Sequence, residues 1–333
     1  MQSTPSVNHN QPNLPTIPAF IQRNISLADK NWFQTGGAAQ YFYEPTTNIE
    51  FAQALMWAQD AQIPTFILGQ GANILISDTG FAGLVIRPKI QHITRQYLDD
   101  HYDLVECGAG IIFQSLIDWC IKEQLVGLEE FSGIPGTVGG SVFINIHYFE
   151  FLLSSFLVSA QVINKQGHVI TVDHAWFEFG YNQSRLHQED YYLVSATFKL
   201  KKVDAFAACY AQGRRDEIIR HRVKRYPNTH TCGSFFRNFY DHEVSLLSAG
   251  KKLIYVAYYL DKIGVKGQLS VGDAIVSYQH ANMIVNKGKA TTSDIIELVR
   301  MMQQLVYNQF GIIPQPECRL IGFDHYPLIT LPI

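Results

Sequence analysis

Gly69-Gln70-Gly71-Ala72-Asn73 and Gly133-Ile134-Pro135-Gly136-Thr137-Val138-Gly139-Gly140 are the two stretches that decide how this chain is read. A residue without Cβ lets backbone N–H groups turn toward a ligand and approach it closely. Successive inward N–H groups form an anion-binding nest suited to a pyrophosphate. Two such strings about sixty residues apart imply one large phosphate-bearing cofactor held from two sides. Gly69-x-Gly71 follows an apolar run, as a dinucleotide fingerprint would, but the third glycine is missing. Ile74-Leu75-Ile76-Ser77 then reads as strand where that fingerprint requires a helix. A doubly wound nucleotide fold is therefore a poor fit.

Around these strings the pattern mixes helices and strands with short links. Strands are expected at Ala39–Glu44, Thr65–Leu68, Asn73–Ser77, Gly83–Pro88 and His101–Gly108. Helical periodicity marks Asn48–Ala61 and Ile112–Glu123. Val158–Asn164 and His168–Val172 form a hairpin about Lys165-Gln166-Gly167, and Tyr191–Lys201 alternates as a strand. Asp204–Lys224, charged and nearly free of breakers, reads as a connecting helix. Ser293–Phe310 is the clearest helix of the last third, with Thr292-Ser293-Asp294 as its cap and Gly311 and Pro314 at its end.

A chain of 333 residues calls for two or three domains. Net charge of −3 gives no nucleic-acid surface, and no apolar run is long enough to span a membrane. The cysteines (Cys107, Cys120, Cys209, Cys232, Cys318) are scattered without a CxxC pair, which argues against a zinc site or a disulfide framework. A reducing, cytoplasmic setting is expected. The proline-, Asn- and Gln-bearing start lacks a signal peptide's basic and apolar regions and reads as a flexible leader.

Taken with Asn31–Gly37, Gly233–Asn238, His280–Asn286 and Pro316–Gly322, in this order, the strings resemble those of the UDP-N-acetylenolpyruvoylglucosamine reductases, flavoenzymes of peptidoglycan precursor synthesis. The likeness runs from about Ser26 to Phe323. It implies an α+β chain with an FAD-binding fold of the PCMH/vanillyl-alcohol-oxidase type in two subdomains, followed by a C-terminal α/β substrate-binding domain. The expected division is leader 1–25, FAD domain 26–202, connector helix 203–225 and substrate domain 226–325. The implied cofactor is FAD, with NADPH as reductant. Its site would be Gly69, Gln70, Gly71, Ala72, Asn73, Gly133, Ile134, Pro135, Gly136, Thr137, Gly139 and Gly140, with no metal.

The implied reaction reduces an enolpyruvyl ether. Hydride reaches the vinyl carbon, charge develops on its neighbour and the attached carboxylate, and a proton must then be delivered to carbon. By resemblance Ser234 is the proton donor, and Glu317 is the carboxyl that stabilises or relays charge. A carboxyl with its pKa raised by burial could donate to the developing oxyanion. Tyr181, Arg225, Arg237 and Asn238 are the expected substrate contacts. The partners implied are small molecules only, with no nucleic acid and no membrane insertion, and a monomer is expected.

The chain departs from the family in three places. Where the family carries Tyr-Arg-x-Ser, this chain reads Tyr181-Asn182-Gln183-Ser184, so the arginine aimed at the substrate carboxylate is an asparagine. Arg185 is a candidate replacement. After Asn145 a stretch of small residues is replaced by Ile146-His147-Tyr148-Phe149-Glu150-Phe151-Leu152-Leu153, and Gln34 stands where a basic residue is common. Two other functions therefore stay open: another oxidoreductase of the same flavin fold, and a flavin- or UDP-sugar-binding homologue with weakened catalysis.

Overall fold

A computed structural model describes residues 16–248 and 250–330. The helices are α1 (Asn48–Asp60), α2 (Phe113–Lys122), α3 (Val138–Phe143), α4 (Ala205–Arg225), α5 (Val256–Lys262) and α6 (Thr292–Phe310). The first sheet runs Gln22–Ser26, Ala38–Tyr43, Phe81–Ile86, Thr65–Ile67 in spatial order. Its first pair is antiparallel and its other two pairs are parallel. The second sheet is antiparallel: Val169–Asp173, Leu157–Asn164, Tyr191–Lys202, Tyr102–Gly108, Ile93–Tyr97, with Leu125–Val126 beside the long central strand. Gly167, in the hairpin turn, takes φ +80°, a conformation for which glycine is suited.

Physical chemistry accounts for the element ends. Thr47 caps α1 reciprocally with Glu50, satisfying N–H groups that a helix start leaves unpaired. Thr291, one residue before the expected cap, performs the same exchange with Asp294 at α6, and Gly311 closes that helix at φ +70°. Ile295, Ile296, Val299, Met302 and Val306 lie on the buried stripe of α6.

Two of the expected boundaries are redrawn. Residues 1–15 of the leader lie outside the described residues. Its remainder is folded, because Ile17, Phe20 and Ile21 pack with α1, and Gln22–Ser26 is an edge strand. The segment around α4 is more than a connector: Ala211 belongs to the core built on the second sheet, and Arg214 makes a bidentate ion pair with Glu130.

The C-terminal unit is not a separate body. Its core includes Phe33 and Leu75, both fully buried, from the N-terminal region. Ile74–Ile76 pairs in parallel with Arg319–Ile321, so one short strand joins the first glycine string to the Glu317 segment.

Candidate active site

Two cavities meet along Ala72, Asn73, Pro135, Ile144 and Ile146. The first, enclosing about 1130 Å³ with its open mouth, is lined by Gly69–Asn73, by Pro135, Gly136, Thr137, Gly139 and Gly140, and by Tyr191, Tyr192 and Arg319. The second, about 1600 Å³, contains Ser234, Glu317, Tyr181, Asn182, Asn238, His147, Arg222 and His280.

The glycine strings are built differently. Among the described residues, Gly69, Gln70, Gly71, Ala72 and Asn73 donate no backbone hydrogen bond. A run of five such N–H groups beside a cavity is the make-up of an anion nest. The second string spends most of its donors internally: Gly133 N–H on Gln114, Ile134 on Phe131, Val138 on Ile111, Gly139 on Ala109 and Gly140 on the Thr137 hydroxyl. Gly136 and Thr137 keep theirs free. Gly133 and Ile134, expected on the cofactor, line the second cavity instead; a Cβ on Gly133 would lie 3.0 Å from Arg222 Cδ. The residues of the first cavity thus fit FAD: the Gly69–Asn73 donors would hold its pyrophosphate, and the apolar lining would take its flat ring.

Ser234 and Glu317 are brought together by three short segments. Ser234 bridges to Met283, and Phe236 bridges to Pro316. Buried Asn282 ties these together: its Nδ2 donates to Phe236 O at 2.8 Å, its Oδ1 accepts from Phe236 N at 3.0 Å, and its carbonyl accepts from Phe235 N. Glu317 N–H donates to Phe235 O at 2.8 Å. The rigid Asn282 tie is the role of the expected His280–Asn286 strand, of which only Ile284–Asn286 is regular. Burial raises the Glu317 carboxyl to about 7, against which the amide of Asn182 pulls weakly.

Tyr181 and Asn182 occupy a tight turn closed by Gly180 and Gln183, with Asn182 at φ +54°. Asparagine is among the residues that best tolerate this region. Asn145 anchors the turn, donating to Gly180 O at 3.2 Å while accepting from Ser154 N. Burial, with Glu317 nearby, pushes the Tyr181 hydroxyl up to about 12, although 47% of the residue's surface stays exposed. The hydroxyl itself faces Asn238.

Three expectations meet a different geometry. Arg237 is consumed by Glu243, through two 2.7 Å bonds, and lies over Tyr240. Arg225 lies outside the cleft, near the Tyr226 ring. Arg185 packs over Trp176 at 4.7 Å and does not replace the missing arginine.

The cation that does line the cleft is Arg222, one helical turn earlier on α4. It sits between Tyr148 and Tyr226, 5.5 and 5.3 Å from their rings, with no partner for Nε. Burial lowers its pKa, yet guanidinium stays charged at any ordinary pH. Sequence reading passed over it because Arg220, Arg222, Lys224 and Arg225 all look like a solvated helix face. Its spacing of four from Tyr226 was the available signal.

Comparison with known proteins agrees with this geometry. Residues 39–173 match the model described as FAD binding domain, and 225–321 match that of the UDP-N-acetylenolpyruvoylglucosamine reductase C-terminal domain. The chain is 34% identical to the UDP-N-acetylenolpyruvoylglucosamine reductase of Gloeobacter violaceus over 91% of its own length and 96% of that protein's. It is 32% identical to that of Synechococcus sp. (strain JA-3-3Ab), covering 96% and 97%. The crystal structure of the Thermus caldophilus reductase superposes with a TM-score of 0.72 at 27% identity, covering 91% of this chain and all of that one. With the nest, the Ser234–Glu317 cleft and relatives spanning both halves, the chain belongs to the UDP-N-acetylenolpyruvoylglucosamine reductase family.

Proposed function

We propose that this protein reduces the enolpyruvyl ether of UDP-N-acetylglucosamine to UDP-N-acetylmuramate, with FAD as cofactor and NADPH as reductant. The observation that carries this is the shared wall of the two cavities: the free N–H run at Gly69–Asn73 ends at Asn73, which also faces the cleft of Ser234 and Glu317. FAD, when bound, supplies the hydride drawn from NADPH. The remaining work falls to the chain. Ser234 delivers a proton to the carbon next to the carboxylate as charge develops there. Glu317, protonated below about pH 7, donates a hydrogen bond to the charged carboxylate oxygen. Asn182 holds the other side of Glu317. Arg222, held between Tyr148 and Tyr226, takes the diphosphate as a planar charge-assisted contact. Tyr181 and Asn238 close the cleft around the sugar. A cytoplasmic monomer acting on small molecules completes this reading. No helix among the described residues is long and apolar enough to cross a membrane.

Stopped-flow flavin absorbance tests this reading. Anaerobic NADPH bleaches the holoenzyme, and the UDP-enolpyruvyl sugar restores the colour. Ser234→Ala keeps the bleaching step and slows colour return by about 10²–10⁴-fold. Reduced flavin that reoxidises only with oxygen would point instead to an oxidase of the same fold.

A further inference from the structure

Among the described residues, one cation lines the first cavity: Arg319. It reaches there from the C-terminal half, on the strand Arg319–Ile321 that pairs with Ile74–Ile76. Its backbone N–H donates to Asn73 O at 3.1 Å, at the end of the first glycine string. Its guanidinium lies 4.7 Å from the centre of the Phe143 ring and 5.8 Å from that of Phe66. Asn73 belongs to the wall shared with the Ser234 cleft, and so does Ile144, the neighbour of Phe143. Arg319 is therefore placed at the end of the cavity that borders the cleft.

Hydride has to cross that wall, so the flat ring of FAD belongs at this end and the pyrophosphate against the N–H run. A hydride brings two electrons and one proton, and leaves the ring with one negative charge. A cation beside the ring stabilises that state relative to the neutral, oxidised one. Arg319 does not act unopposed. Its Nη2 donates to Glu189 Oε1 at 2.7 Å, and Glu189 is the one carboxylate among the described residues that line this cavity. The Glu189 side chain is half exposed, so the pair adds little to holding the fold. His187, stacked on Phe143 at 4.0 Å, adds no second charge, because burial, with Arg319 close by, disfavours its protonation.

Resting on the reductase reading, we propose that Arg319 is the cation that stabilises the negative charge of the reduced cofactor ring, and that Glu189 tempers it. The pair then sets how readily the enzyme accepts a hydride and gives it up again. Too strong a cation would hold the hydride back from the vinyl carbon, and too weak a one would slow its acceptance from NADPH. The device also ties cofactor chemistry to the joint between the halves, since the cation is supplied by the C-terminal strand and the carboxylate by the FAD domain.

The two-electron midpoint potential of the FAD-loaded enzyme, read by equilibration with a reference dye and with no sugar present, tests this. Arg319→Met should destabilise the reduced form tenfold or more against the oxidised, about 30 mV downward for a two-electron couple. Arg319→Lys should recover part of the fall. Glu189→Gln should move the potential upward, by threefold or more in the same ratio. The pH slope separates charge from packing: the wild type should take up one proton per two electrons near pH 8, and Arg319→Met closer to two. Should Arg319→Met fail to retain FAD, the upward shift in Glu189→Gln still decides. Unchanged potentials in the variants, or a wild type that already takes up two protons, overturn the assignment. So does a loss of oxidised-FAD affinity with the potential kept, which is what a contact to the pyrophosphate would give. None of these touches the reductase reading, which fails separately if the wild type binds no FAD or is not bleached by NADPH.

Discussion

Glu317 is the residue at which structure, stability and chemistry pull in one direction. Its carboxyl is buried and raised to about 7 from an ordinary value near 4.5. A raised carboxyl binds its proton more tightly in the folded state, so the folded state gains from protonation. That stability is complete below pH 4.5 and is lost as pH rises through 7. The shift corresponds to about 3 kcal/mol. Glu317→Gln, which cannot ionise, is expected to unfold at higher urea than wild type at pH 8.5 and at similar urea at pH 4.5. The same proton matters for turnover. The return of flavin colour on adding the enolpyruvyl sugar should slow above pH 7 in the wild type, because the ionised carboxylate cannot donate to an oxyanion. In Glu317→Gln that step should be slower but flat with pH across this range. A pH profile unchanged by the substitution would remove Glu317 from the chemistry.

At the scale of the elements, the glycine strings do two jobs that look identical in sequence. Gly71 is demanded by the protein itself: φ is +67°, and a Cβ would sit 2.6 Å from Asn31 Cα. Gly140 is not, since its Cβ would meet nothing nearer than Thr137 Oγ1 at 3.6 Å. Yet Gly140 lines the cofactor cavity. Gly71→Ala should therefore lower both apoprotein stability and FAD affinity. Gly140→Ala should leave the apoprotein equally stable, or firmer by up to about 1 kcal/mol from helix propensity, while weakening FAD binding measured by fluorescence quenching. Undiminished FAD affinity in Gly140→Ala would mean that the cofactor does not approach that string. The helices and most strands were legible from apolar periodicity, and so was the identity of the cofactor loops. Donor bookkeeping was not legible, because whether Gly139 N–H meets Ala109 O or a ligand depends on a strand about thirty residues away. For the same reason Arg237 misled: the Glu243 that takes its guanidinium is six residues on, and nothing in a charged string says which charges pair. Arg222 escaped notice because Tyr148, the ring on its other side, sits on a distant element.

In the molecule as a whole, the two halves are bound by a joint that the periodicity of either half does not reveal. Asp78, just after the first string, accepts hydrogen bonds from Thr292 N (2.8 Å), Ser293 N (2.9 Å) and Ser293 Oγ (2.7 Å) at the start of α6. Burial works against its ionisation, but these bonds outweigh it and hold the carboxyl below its ordinary value. The Thr292 hydroxyl donates to Ile76 O, and Asn286 Nδ2 donates to Phe33 O, so the joint also includes the flanks of the glycine string. For a lowered carboxyl the sign reverses relative to Glu317: stability is present above the ordinary pKa and disappears as pH falls through the native value. Asp78→Asn is thus expected to cost about 1.5–3 kcal/mol at pH 7, the range for a hydrogen bond to a charged group, and progressively less as the pH falls below 4. The joint has a larger consequence. Phe33 and Leu75 are wholly buried in the C-terminal core, and Arg319–Ile321 has its strand partner in Ile74–Ile76. Cutting the chain at 226 leaves that core with two empty places and an unpaired strand edge. Calorimetry of the apoprotein should accordingly give one cooperative transition rather than two, and the fragment 226–325 alone should show none. FAD, although the cavity that fits it is lined mainly by the N-terminal half, should raise that single transition as a unit by mass action. A second transition that stays put on adding FAD would mean that the C-terminal half folds independently and that the Asp78 joint is decorative.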